Sequence, residues 1–155
     1  MDIHIYTDGG CSGNPGPGGW AYLIIRKWAE EPEIIVEKWG AEKNATNNRM
    51  ELSAVIQALE ALSNLNIAPD QVMVYTDSQY VQKGMSEWIV SWKRNGWLTS
   101  DKKAVKNQDL WQRLDAAASA YPIRWKWVKG HLGNRFNERC DRLTQKAIAC
   151  IQSDS

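Results

Sequence analysis

The sequence predicts one α/β domain built on a mixed sheet with helices on both faces. Three observations carry this. Three strand-like stretches follow one another at the N-terminus with no room for a helix between them. From residue 47 onward the apolar spacing switches back and forth between helical and strand periods. The length, 155 residues, suits one core and one domain over 1–155.

Residues 2–8 alternate, with Ile3, Ile5 and Thr7 on one face and His4, Tyr6 and Asp8 on the other. Residues 19–28 and 33–39 form two further strands, joined by the short Ala-Glu-Glu-Pro, so the first three strands are expected to be antiparallel. In NNRMELSAVIQALEALSNL, Leu52, Val55, Ile56, Leu59 and Leu62 recur at helical spacing. After Pro69, QVMVYTD is a strand ending in Asp77. Residues 78–95 are helical, with breaks expected at Gly84 and Asn95-Gly96, and 96–106 have no period and suggest an exposed excursion. Residues 107–119 are helical, 123–128 a strand and 136–151 a last helix, on which Cys140, Leu143, Ala147 and Cys150 share a face. A short polar tail is expected over 152–155.

Several function classes drop out early. The formal charge is +1, so any hold on a polyanion must come from a local patch. There is no run of 18 apolar residues and no leader-like N-terminus, so neither membrane insertion nor export is expected. Three cysteines without a C-x-x-C spacing indicate neither a disulfide framework nor a zinc knuckle. A cytoplasmic monomer is the expectation.

Two strands end in the same triplet, Tyr6-Thr7-Asp8 and Tyr75-Thr76-Asp77. If these strands are parallel neighbours, both carboxylates emerge side by side, at the strand ends where α/β sheets hold ligands. Alone, each Asp could simply start a turn or cap a helix; the shared triplet argues for function. Glu51 sits at the edge of its helix's apolar stripe, although Asn48-x-x-Glu51 also fits a relaxed capping box. Asp141 lies early in the last helix beside Cys140, where complementing the helix dipole is its plainest role. His131, between Gly130 and Gly133, is either a surface histidine or a mobile titratable ring. Carboxylates gathered in one crevice repel each other unless they are protonated or bind cations. Hard oxygen ligands select magnesium, or manganese as a substitute. Two such ions about 4 Å apart drive water onto phosphodiesters.

Residues 83–113 hold seven basic and three acidic side chains, +4 in a chain of +1. Four of the nine tryptophans, Trp88, Trp92, Trp97 and Trp111, fall in the same stretch. Most should pack the core, with one or two left to face a nucleic-acid backbone. The polar run from Asn44 to Asn48, at a helix start, suits phosphate oxygens and the groove of a duplex, as does Asn14 in the glycine-rich loop.

The blocks YTDGGCSGNPGPGG, TNNRMEL, YTDSQYV, WKRNGW, KNQDLWQRLD and WVKGHLGNRFNERCD resemble, in order and spacing, those of type-1 ribonuclease H of the bacterial kind, over residues 2–148. The resemblance implies a ribonuclease H-like fold with a five-stranded mixed sheet. It implies hydrolysis of the RNA strand of RNA–DNA hybrids, leaving 5′-phosphate and 3′-hydroxyl ends. Carried over by position, Asp8, Glu51, Asp77 and Asp141 are the metal-binding carboxylates, and His131 the mobile helper. Asn14, Asn47, Asn48 and Gln79 fall where the family touches the minor groove, and Thr46 and Asn107 where it grips a DNA phosphate. Trp88, Lys93 and Arg94 belong to the basic protrusion that carries the DNA strand. The chain departs from the family pattern at Gly10, where Ser or Ala is common, at Ala45, and at Asn134 to Phe136. The alternative functions are a non-catalytic hybrid-binding module or another nuclease of this fold.

Overall fold

The computed structural model describes residues 1–27, 31–129 and 134–153. Its sheet has five strands in the order β3-β2-β1-β4-β5. β1 (Asp2–Cys11), β2 (Gly16–Lys27) and β3 (Pro32–Ala45) form the antiparallel meander, while β4 (Gln71–Thr76) and β5 (Ile123–Trp127) run parallel to β1. The mixed sheet expected from the element order is present.

Helices cover both faces because β1 and β2 bury side chains on both. α1 (Asn47–Ser63) lays its stripe of Leu52, Val55, Ile56, Leu59 and Leu62 on Ile3, Ile5, Tyr22 and Ile24. All five stripe residues are fully buried, and each large side chain so placed stabilises by roughly 1.5–3 kcal/mol. α5 (Arg135–Ser153) covers the other face, where Cys140 packs with Tyr6, Leu23 and Ile25. α5 buries Asn137, Cys140, Thr144, Ala147 and Ile148, whereas Cys150 is exposed. The expected face was therefore right at its start and drifted by its end. α5 also continues through Gln152 and Ser153, which the sequence placed in a polar tail. Trp28, expected to end β2, lies outside the described residues.

Three elements differ instructively from expectation. β1 does not turn after Asp8 but continues through Gly9 and Gly10 to Cys11, paired with Gly18 to Ala21 of β2. β3 runs six residues beyond Trp39, through a polar, largely exposed stretch without the alternation that marks a half-buried strand. The helix after β4 loses α geometry at Gly84, where the break was expected, but the chain stays helical. α2 (Gln79–Lys83) passes through a π-helical turn (Gly84–Trp88) into α3 (Ile89–Arg94). Gly84 also marks a close approach: a Cβ there would lie 2.0 Å from the Trp111 ring. Trp111, on α4 (Gln108–Ala118), is fully buried, and Trp92 packs against it at 5.1 Å between ring centroids. The excursion closes through a Leu98–Ala104 bridge and buries Val105, so its end is anchored in the core.

Candidate active site

The two Tyr-Thr-Asp triplets meet in register. Tyr6 and Tyr75 are direct partners across the parallel β1–β4 pair, with rings stacked at 4.4 Å and 5° apart. The Thr7 hydroxyl donates to the Tyr75 carbonyl at 3.0 Å. The strands thus carry Asp8 and Asp77 to neighbouring positions, as the parallel arrangement requires.

Glu51 joins them from α1. A Cβ on Gly9 would lie 2.4 Å from the Met50 carbonyl carbon, so only glycine lets β1 and the first turns of α1 approach this closely. The Gly9 amide hydrogen-bonds the Glu51 carboxylate. Gly9 therefore serves helix approach, and the strand runs on through it without a turn. Asp8, Glu51 and Asp77 each offer a carboxylate oxygen within 4.8 Å of the others. Asp8 and Glu51 are 5% and 8% exposed, and Asp77 is half-buried.

The competing structural roles fall away one by one. Asp8 pairs with Ala21 inside a strand and starts no turn. Ser78, not Asp77, caps α2, its hydroxyl accepting from the Val81 amide at 3.1 Å. Thr46 caps α1, its hydroxyl accepting from the Arg49 amide at 3.3 Å, so the Asn48–Glu51 capping box does not form. Asp141 lies on α5 outside the group of three. Its neighbour Cys140 bonds the Tyr6 carbonyl at 3.4 Å, and its thiol is pushed up by burial and then by the charge of Asp8. This part of α5 thus runs beside the cluster. His131 lies outside the described residues.

Burial, then the charges of Asp77 and Asp8, hold the Glu51 carboxyl well above the usual carboxylate range. Among the described residues its Oε1 is buried with no hydrogen-bond partner. Oxygen donors only, mutual repulsion and an orphaned buried oxygen together fit a divalent metal ion.

Five of the expected substrate residues, Asn14, Thr46, Asn47, Asn48 and Asn107, line one open cavity of about 390 Å³ together with Lys106. The Asn47 amide donates to Asn14 Oδ1 at 3.2 Å, and the Cys11 amide to Asn47 Oδ1 at 3.0 Å. Gln79 is exposed in the first turn of α2, and Trp88 is 37% exposed at the edge of the tryptophan cluster. Arg94 is exposed, but Lys93 is paired with Asp115 of α4 at 3.1 Å.

Comparison with known proteins agrees with this geometry. The family model for RNase H matches residues 1–149. The chain belongs to the RNase H family. It is 55% identical over 148 residues to a ribonuclease H of Phenylobacterium zucineum, covering 96% of this chain and 91% of that protein. It is 52% identical over 153 residues to a ribonuclease H of Cupriavidus metallidurans, covering 99% of each. Among solved structures it superposes on LC9-RNase H1, a type 1 RNase H with the type 2 active-site motif, with a TM-score of 0.83 at 33% identity, covering 96% of this chain and 72% of that one. The N-terminal RNase H domain of rv2228c from Mycobacterium tuberculosis gives 0.78 at 27% identity over 100% of this chain and 99% of that one.

Sequence reasoning missed Arg49. Its guanidinium holds Asp109 at 3.0 and 2.9 Å and reaches Asn107 Oδ1 at 3.3 Å, while Asn107 Nδ2 donates to the Tyr80 hydroxyl. This network fixes Asn107, which sits in the left-handed region at φ 61°. A signal was present: a cation in the first turn of a helix opposes the helix dipole, so its presence points to a specific partner.

Proposed function

We infer that the chain hydrolyses the RNA strand of RNA–DNA hybrids, with Asp8, Glu51, Asp77 and Asp141 holding magnesium, for which manganese can substitute. The carboxylate group of Asp8, Glu51 and Asp77 carries this reading, because a pure binding module gains nothing from burying acids that repel one another. Asp141 and His131 enter by their positions in the family pattern. Bound ions supply an activated water and stabilise the leaving oxygen. This chain's own residues orient the phosphate. Asp8 and Asp77 present their carboxylates from adjacent strand ends, and the Gly9 amide holds Glu51. His131 then moves a proton at the leaving group.

The neighbouring cavity supports the substrate class. The cavity brings the start of α1, at Thr46, Asn47 and Asn48, beside Lys106 and Asn107, which suits a phosphate of the DNA strand. Asn14 and Gln79 reach toward the minor groove. Trp88, Lys93 and Arg94 carry the DNA strand onward, and Lys93 must exchange Asp115 for phosphate to do so. Two proteins of this fold have been solved with RNA/DNA hybrid, LC11-RNase H1 and a foamy viral protease-reverse transcriptase. The three thiols are free, which suits action in the reducing cytoplasm. Among the described residues no helix is long and apolar enough to cross a membrane.

The test is incubation with a labelled hybrid with and without magnesium. Cleavage of the RNA alone, only with metal, is expected. Intact RNA at micromolar protein would refute the reading.

A further inference from the structure

A second polar cavity lies on the far side of Asn47. Its volume is about 410 Å³, and its lining includes Gly10, Cys11, Ser12, Asn47, Gln145 and Gln152. It nearly matches the 390 Å³ cavity described above, so size does not separate the two. Charge does. The first cavity carries Lys106 and the opening turn of α1, both suited to phosphate. The second has no cationic side chain in its lining. Burial pushes the Cys11 thiol up, and that thiol donates to the Gly13 carbonyl at 2.6 Å, so it is neutral. Neutral amides and hydroxyls that both donate and accept are the chemistry that meets a sugar hydroxyl.

Asn47 belongs to both cavities. A duplex that seats a DNA phosphate on one side of it presents the opposite strand, across the minor groove, on the other. That strand is RNA, and the wide minor groove of such a duplex displays its 2′-hydroxyls. Gly10 keeps the entrance open. A Cβ there would meet only Asn47 Oδ1, at 3.8 Å, so the absent side chain leaves space instead of relieving a clash. Gln145 is exposed on α5 at the opposite wall, and its amide has no hydrogen bond among the described residues.

We propose that this cavity is an RNA-strand subsite in which Gln145 hydrogen-bonds a ribose 2′-hydroxyl, making it a specificity-determining residue supplied by α5. The proposal rests on the hybrid reading above and adds a strand assignment to it. Gln145 is exposed on α5 and stands outside the group of three carboxylates, so its loss leaves the fold and that group in place.

The experiment pairs a residue change with an atom change. Hybrids carrying a single 2′-deoxy ribose, moved position by position along the RNA, are titrated into wild type and Gln145→Ala in magnesium-free buffer. At one or two positions the deoxy ribose is expected to weaken wild type about fivefold, the worth of one neutral hydrogen bond, and to leave Gln145→Ala unchanged. Gln145→Ala should lose the same factor on the unmodified hybrid. Its affinity for an all-DNA duplex should not change. Equal losses in both proteins at every position, or unchanged affinity of Gln145→Ala for the hybrid, would overturn the assignment. Cleavage of the unmodified hybrid in magnesium, run in parallel, tells the two readings apart. If wild type cleaves while the coupling is absent, only the Gln145 subsite fails. If the RNA stays intact, the nuclease reading fails and the subsite falls with it.

Discussion

The carboxylate centre and the helical excursion of residues 79–107 are both built around a glycine pressed against a neighbour, yet they work by opposite physics. At the centre, Gly9 admits the backbone of α1 and buries Glu51 beside two other acids. In the excursion, Gly84 admits the Trp111 ring, and that packing holds up an exposed platform with Trp88 and Arg94 on its surface. The centre concentrates like charge away from water, where repulsion is strong and a cation is the natural remedy. The excursion keeps its charges in water and braces one of them, through Lys93–Asp115. Chemistry is placed where solvent is excluded, and grip where solvent and salt still compete.

Changes that touch the chemistry should divide the two regions most sharply. Asp77→Asn, measured by single-turnover cleavage at saturating hybrid, should lower the rate by roughly 10²-fold or more, the scale for losing one group that stabilises a transition state. Hybrid affinity in magnesium-free buffer should be unchanged. Near-normal cleavage would remove Asp77 from the metal site.

The two glycines make a matched pair. Gly9→Ala and Gly84→Ala each force a Cβ into an occupied space and should cost about 1–3 kcal/mol in urea unfolding. Gly9→Ala should also lose cleavage at saturating substrate, because Glu51 moves with α1. Gly84→Ala should keep that rate and raise the substrate concentration required. Equal kinetic effects would mean that the regions are not separable.

On the excursion, Arg94→Ala should weaken hybrid binding and lower the slope of log affinity against log salt by about one, as expected for one lost phosphate contact. An unchanged slope would place Arg94 off the nucleic-acid path.

The smallest effect concerns stability of the metal-free protein. Because the Glu51 carboxyl is held above its usual value of 4.5, the folded state binds a proton more tightly than the unfolded state. Stability should therefore fall as pH rises from 4.5 through the raised folded value, and this penalty persists at neutral pH. Glu51→Gln removes the ionised form, so its metal-free melting temperature at pH 7 should exceed that of wild type, and the gap should close on acidification. Magnesium should raise the melting point of wild type more than that of Glu51→Gln. A lower melting temperature for the variant at pH 7 would contradict the repulsion argument.

Local pattern made much of this molecule legible in the chain. The matching Tyr-Thr-Asp triplets, the α1 stripe and the strand–helix alternation depend on neighbours in sequence, and they led to the sheet, to α1 and to three acids that meet in space. Other features depend on residues distant in sequence and could not be read locally. Nothing in the sequence marked Gly9 or explained Gly84, because a glycine's sequence neighbours do not reveal what will press against it. Lys93 looked free until α4 brought Asp115 to it. The capping role that competed for Glu51 fell away only once Thr46 was seen to cap α1. The sequence by itself determined which elements form and which acids stand at their ends, since periodicity and chain direction are local properties. Only the tertiary structure decided how closely the elements approach, and so which oxygens are buried together and which charges are already paired. Desolvation and pairing fall off within a few ångströms, and that proximity exists only once the chain has folded.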